Sequence, residues 1–188
     1  MKRLILLVLI ASLFACTEMT DTKSVVISGQ IFDPAGTFIA FSFGKDSDTA
    51  LLDSTGRFTI TFGLEKPTYA TLFHGREISQ MFLFPGDDIY LTLDTKEFDE
   101  TINYSGTGAL TNNYLASKFL IIEKMTDDPR EAFKMEEEKF LMFMKKSQHV
   151  LMSHLDTFFL EKGEAYYEFV EMEKNRLVYE KATELLMY

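Results

Sequence analysis

The side chains able to do chemistry are few: three histidines, a single cysteine at Cys16, no tryptophan, and a surplus of acids. His149 and His154 stand five apart, which on a helix turns them roughly 140° from each other, so they cannot share a metal as an i, i+4 pair would. Both are expected as solvated or partly packed side chains. His74 falls at the end of a predicted strand, with Glu77 the nearest acid in sequence. No serine or cysteine motif accompanies it, and a surface role is expected. Asp46 with Asp48, and Asp87 with Asp88, are carboxylate pairs in turn-like segments that could hold Ca²⁺ loosely. Each lacks the longer ligand series of a dedicated loop, so turn acidity without metal is the expectation.

Gly106-Thr107-Gly108 ahead of a helix has the look of a phosphate cradle, but the third glycine and the lysine are missing, which favours a simple hinge. Glu136-Glu137-Glu138 and the row Glu161, Glu164, Glu168, Glu171 read as solvated helix faces. Met135, Met142, Met144 and Met152 have Phe and Leu neighbours and are expected to fill a core rather than to bind copper. No catalytic, cofactor-binding or metal-binding residue is therefore expected, and the chain does not read as an enzyme.

Cys16 stands where an apolar run gives way to polar residues, in the order Leu13-Phe14-Ala15-Cys16-Thr17. Ahead of it lie Lys2 and Arg3, then an apolar stretch over residues 4–13 that is too short to span a bilayer comfortably. Residues 1–15 read as a secretion signal that is later removed. Leu13, Ala15 and Cys16 resemble the lipobox of bacterial lipoproteins, with Phe14 where a small residue is usual. That resemblance implies a diacylglyceryl group on the Cys16 thiol, cleavage just before it, and acylation of the new amino end. Two or more chains anchor firmly, because each buried methylene adds roughly 0.8 kcal/mol. The alternatives are an ordinary cleaved signal with a coincidental cysteine, or an uncleaved membrane helix. Residues 16–23 are polar and aperiodic, as a tether should be. Their acids resemble a surface-display signal of some Gram-negative lineages, and the expected location is the cell envelope, on the outer membrane, facing periplasm or exterior.

The chain has 188 residues, of which 46% are apolar and 14% aromatic, so disorder is excluded as its main state. Beyond the signal it is long enough for one ordinary domain or two small ones. A chain starting at Cys16 would carry 17 basic residues against 29 acidic ones, a net charge of −12. Nucleic acid and anionic headgroups are poor partners for such a surface. With its one thiol committed to lipid, neither a disulfide nor a Cys-x-x-Cys redox centre can form.

Residues 24–107 break into short alternating segments separated by turn residues, the pattern of an antiparallel sandwich of seven or eight strands. Val25, Ile27 and Ile31 share one face of a first strand, and Ile39, Phe41 and Phe43 one face of a second. Residues 44–48 close the second strand as an acidic turn. Residues 49–53 and 57–62 read as a hairpin around Ser54-Thr55-Gly56, with Phe58, Ile60 and Phe62 inward. Residues 69–73, 81–84 and 89–93 supply three more strands, and 101–104 a last one. Phe84-Pro85-Gly86-Asp87-Asp88 between two of them is a strong turn signal.

Residues 108–188 change character to Glu, Lys, Leu and Met, and three helices are expected there, giving an α+β chain overall. Thr111 can cap the first, which runs to about Met125 with Tyr114, Leu115, Phe119 and Ile122 on one side. Asp127 or Asp128 before Pro129 starts the second, whose apolar stripe through Phe133, Phe140, Met144, Leu151, Leu155 and Phe158 is continuous. The third covers residues 161–187 and ends on apolar Leu185-Leu186-Met187-Tyr188 without a C-cap, as if cut short.

Lipobox, β-rich stretch with Phe84-Pro85-Gly86-Asp87-Asp88-Ile89-Tyr90-Leu91-Thr92-Leu93, Tyr104-Ser105-Gly106, Leu110-Thr111-Asn112-Asn113-Tyr114-Leu115, and Glu173-Lys174-Asn175-Arg176-Leu177-Val178-Tyr179-Glu180 follow in order. The succession resembles the N-terminal region of envelope thiol:disulfide oxidoreductases of the TlpA and thioredoxin-like class. In that family a Trp-Cys-x-x-Cys domain follows, and this chain contains none. The resemblance implies an accessory or interaction module that binds or orients a protein or peptide through loops at one end of the sandwich. The other readings are a truncated piece of such an oxidoreductase and a ligand-capturing surface lipoprotein.

Overall fold

The computed structural model describes residues 23–126, 129–162 and 164–188. The signal, the tether with Cys16, and the helix start at Asp127 or Asp128 lie outside the described residues. Eight strands form two four-stranded sheets: β1 (Ser24–Phe32), β2 (Phe38–Phe43), β3 (Asp46–Leu51), β4 (Arg57–Gly63), β5 (Thr68–His74), β6 (Glu77–Leu83), β7 (Asp88–Asp94) and β8 (Asn103–Gly106). The first sheet runs β4-β1-β7-β8 and the second β3-β2-β5-β6. The described helices are α1 (Phe98–Thr101), α2 (Ala109–Met125), α3 (Pro129–Ala132), α4 (Glu137–Phe159) and α5 (Tyr167–Met187), with 3₁₀ turns at Thr95–Glu97 and Glu164–Tyr166.

Alternation places the core as the sequence predicts. Val25, Ile27 and Ile31 from β1, Ile39, Phe41 and Phe43 from β2, and Phe58, Ile60 and Phe62 from β4 all join one buried cluster fed by both sheets. Gly29 is a forced choice within it, because a Cβ there would lie 2.2 Å from the Leu91 carbonyl oxygen.

The pairing departs from the expectation in two places. First, β1 and β7 run parallel, with Ile27 opposite Ile89, so the first sheet is mixed rather than antiparallel. Second, residues 49–53 and 57–62 do not form a hairpin ladder: β3 pairs with β2, and β4 with β1. The turn itself is real, since the Asp53 carboxylate accepts from the Thr55 and Arg57 amides at 2.7 and 3.0 Å. It carries the chain from one sheet to the other. Crossing lets the β4 rings fill space opposite β2, where Phe62 stacks on Phe43 at 4.2 Å and Phe58 meets Phe41 at 6.2 Å. β3, with Ala50 as its one buried residue, stays behind as an edge.

The last strand begins two residues later than expected, because Phe98–Thr101 is a helical turn whose Thr101 hydroxyl donates to the Glu97 carbonyl at 2.6 Å. The helical part differs too. Gly108, at φ +82°, occupies the N-cap of α2, and Thr111 is not the cap but a buried residue of the first turn, donating to Gly108 O at 3.0 Å. The second helix is broken, not continuous: after α3 the chain turns through residues 133–136 before α4 starts. The break brings Ala132 and Phe140 into one small cluster, over which Tyr188 stacks on Phe140 at 4.1 Å.

Candidate functional site

Two consecutive asparagines at the start of α2 fasten it to both sheets. Asn112 accepts from the Phe82 amide and donates to the Phe82 carbonyl, both at 2.9 Å. Asn113 repeats the pattern on Tyr104 at 2.9 and 2.8 Å. Each side chain stands where another strand would pair, so the edges β6 and β8 are closed at these points.

Above Phe82, α2 and α5 cover the outer face of the second sheet around a buried polar cluster. Lys118 and Glu173 form an ion pair at 2.5 Å, with their side chains 6% and 0% exposed. The Tyr69 hydroxyl donates to the other Glu173 oxygen. Arg176 lies 4.5 Å over the Tyr69 ring, donates to Gln80 across from β6, and pairs with Glu180 at 2.7 Å. Burial, then the Glu173 carboxylate, holds the Tyr69 hydroxyl above the usual phenol range. Desolvating two charges costs several kcal/mol each, and such a pair persists because further hydrogen bonds satisfy its oxygens. Around it Phe82, Tyr114, Phe159 and Phe169 interlock with ring centroids 4.9–5.7 Å apart, Phe169 meeting Phe82 and Tyr114 edge to face and Phe159 tilted against Tyr114 and Phe169. The Tyr114 hydroxyl is buried without a hydrogen-bond partner among the described residues.

Sequence reasoning missed this cluster, although a signal was present. Lys118 follows Tyr114 by four residues, and Glu173 sits four from both Phe169 and Leu177, so each charge lies on an apolar helix face.

The predicted candidates scatter. His74 is fully buried, not at the surface: its Nε2 accepts from the Ala35 amide at 3.0 Å, and its Nδ1 donates to the Phe38 carbonyl at 2.9 Å. It ties the 33–37 turn to β5 and needs one tautomer to do so. His149 is exposed and His154 half-buried, stacked on Tyr114 at 5.2 Å with Nε2 2.8 Å from the Ser117 hydroxyl. Burial lowers the His154 pKa. Asp46 and Asp48 are exposed on strand β3 rather than in a turn. Asp87 is buried and accepts from the Phe84 amide at 2.8 Å, while Asp88 is exposed on β7. Burial raises the Asp87 pKa. Gly106 and Gly108 have positive φ, and a Cβ on Gly108 would meet the Asp87 carboxylate at 2.5 Å.

Glu136, Glu137, Glu138, Glu161 and Glu168 are exposed and Glu171 is half-buried. Of the methionines, Met144 is buried and Met135 and Met152 pack against apolar clusters, but Met142 is 67% exposed and fills no core.

A cavity of about 190 Å³ opens beside Ile78, between β6, the end of α1 and α2. Asp99 lines it together with Ile102, Phe119 and the paired Lys118 and Arg176. Burial, with Glu123, Glu77 and Glu100 adding negative charge, pushes the Asp99 carboxyl up to about 6.

No group of three or more His, Cys, Asp or Glu among the described residues could hold a metal, and no described helix is long and apolar enough to cross a membrane. No protein-family model, curated protein or solved structure matches this chain.

Proposed function

We propose that this chain is a lipid-anchored protein of the cell envelope, held through acyl chains on Cys16, whose folded part is a non-catalytic interaction module. Its two sheets form a sandwich, similar in role to the N-terminal region of thioredoxin-like envelope oxidoreductases. The observation that carries the reading is the lipobox-like Leu13-Phe14-Ala15-Cys16 followed by a polar tether that ends where β1 begins. Ser24 enters the sheet at one end, and Phe32 leaves it roughly 26 Å away at 3.3 Å per residue. Phe32, at that far end of β1, is 48% exposed, and Phe38 and Leu51, opposite each other on the second sheet, are exposed by 49% and 77%. The buried ionisable groups support the same reading: Lys118, Glu173, Asp87 and His74 each bond to the scaffold.

Growth with an alkyne-bearing fatty acid tests the anchor. The native chain should carry label and a Cys16→Ala variant none. Equal labelling of both, or of neither, contradicts it. Crosslinking in intact cells then tests the interaction, and a chain that captures no partner from any exposed face contradicts the module reading.

A further inference from the structure

On the outward face of the second sheet, the register aligns a row of apolar side chains across four strands. Leu51 on β3 faces Phe38 on β2, and Ala40, two residues on, faces Phe73 on β5, which faces Ile78 on β6. Directly opposed and diagonal neighbours on one face lie within side-chain reach. The large members are exposed by 77% at Leu51, 49% at Phe38, 37% at Phe73 and 56% at Ile78. Contiguous exposed apolar surface is where proteins meet partners, when it is large enough.

What borders the row gives the sign of its partner. At the Ile78 end lies the cavity holding Asp99, with Glu77 on β6, Glu100 on α1 and Glu123 on α2 contributing negative potential there. Lys118 and Arg176 line the same cavity, but Glu173 holds the first, and Gln80 and Glu180 hold the second. Glu180 also faces in from α5. Arg76, in the turn between β5 and β6, is an exposed cation at this edge. Burial is the first cause of the raised Asp99 pKa, and the Glu123, Glu77 and Glu100 carboxylates add to it.

We propose that this row is the docking surface for a basic, amphipathic polypeptide segment, with apolar residues on Phe38, Leu51, Phe73 and Ile78 and a lysine or arginine directed at the Asp99 cavity. The inference rests on the interaction-module reading and names its partner class. A second copy of the chain fits poorly, because it would bring the same acidic rim and a like net charge to the contact. An anionic lipid surface is disfavoured for the same reason.

The test uses the full acylated chain in nanodiscs of neutral phospholipid, and three labelled peptides of equal length: alternating Leu/Lys, alternating Leu/Glu, and alternating Ser/Lys. Fluorescence anisotropy should show binding of the Leu/Lys peptide alone. Phe73→Ser combined with Ile78→Ser should weaken it about tenfold or more, and Asp99→Asn should weaken it several-fold. Binding should also fade as pH falls below about 6, where Asp99 takes up its proton. Ile78→Ser alone serves as the milder variant, and circular dichroism melts report folding of each. Equal binding of the Leu/Glu peptide, or unchanged binding by folded double variants, overturns the proposal. So does a concentration-dependent dimer, or lipid insertion at Phe73, that the double variant abolishes. A photo-crosslinker at Phe73 separates the two levels of the argument. Partners captured from Tyr179 on α5 but not from Phe73 sink this surface alone, while capture from neither sinks the module reading as well.

Discussion

Tyr69 and Phe82 point outward from the same two strands as Phe73 and Ile78, four residues away on each strand, yet the first pair lies beneath helices and the second meets solvent. Both halves of this face are built from large apolar residues. What separates them is the reach of the helical layer, pinned at Phe82 by Asn112 and over Tyr69 by the Lys118–Glu173 pair. Beyond Gln80 the helices give way to the Asp99 cavity, where Ile78 is 56% exposed and Phe73, opposite it, 37%. Hydrophobicity alone therefore does not decide which side chains belong to the core. Polar contacts from Asn112, Lys118 and Glu173 fasten the helices over one half of the face, and the other half is more exposed.

The covered half should be far more sensitive to substitution than the open half. Lys118→Met strands the buried Glu173 carboxylate and should cost roughly 3–5 kcal/mol by urea denaturation. Adding Glu173→Gln, which keeps an acceptor for Tyr69, should restore most of that loss. If the single variant is as stable as the parent, the ion pair is not a fastener. Phe82→Ala, opening a hole among Tyr69, Phe84 and Phe169, should likewise cost about 3–5 kcal/mol.

A smaller loss, about 2–3 kcal/mol, is expected for Asn112→Ala, which leaves the Phe82 amide and carbonyl buried without partners. Hydrogen exchange should then rise at Phe82 before it rises in β1. Asp99 sharpens the contrast through pH. Its folded pKa of about 6 exceeds the ordinary 3.8, so the folded state holds the proton more tightly, and stability falls as pH climbs through this window. Asp99→Asn should therefore melt higher than the parent above pH 6, and the gap should close below about pH 4. Identical melting of the two at every pH contradicts the assignment. Least of all, Leu51→Ser, at a position 77% exposed, should shift stability by no more than about 0.5 kcal/mol.

Much of the β-rich part was legible because period-two alternation reports the buried face directly, as at Ile39, Phe41 and Phe43. Alternation is silent about which strand lies beside which. The parallel β1–β7 pairing and the crossing of β4 to the other sheet both rest on distant contacts, such as Phe62 on Phe43. His74 was misread because its partners, Ala35 N–H and Phe38 C=O, are backbone groups that leave no mark on side-chain patterns. The helix break at residues 133–136 escaped notice since Phe133 and Phe140 keep heptad spacing through it. The open apolar row was invisible until the register set Leu51, Phe38, Phe73 and Ile78 side by side.

Hydroxyl-radical footprinting of the full chain in nanodiscs, read by mass spectrometry, compares the two halves in one experiment. Phe38, Phe73 and Ile78 should be oxidised rapidly while Tyr69 and Phe82 stay protected. Equal protection of both groups, or oxidation of Phe82 as fast as Phe73, would contradict the half-covered sheet on which this account stands.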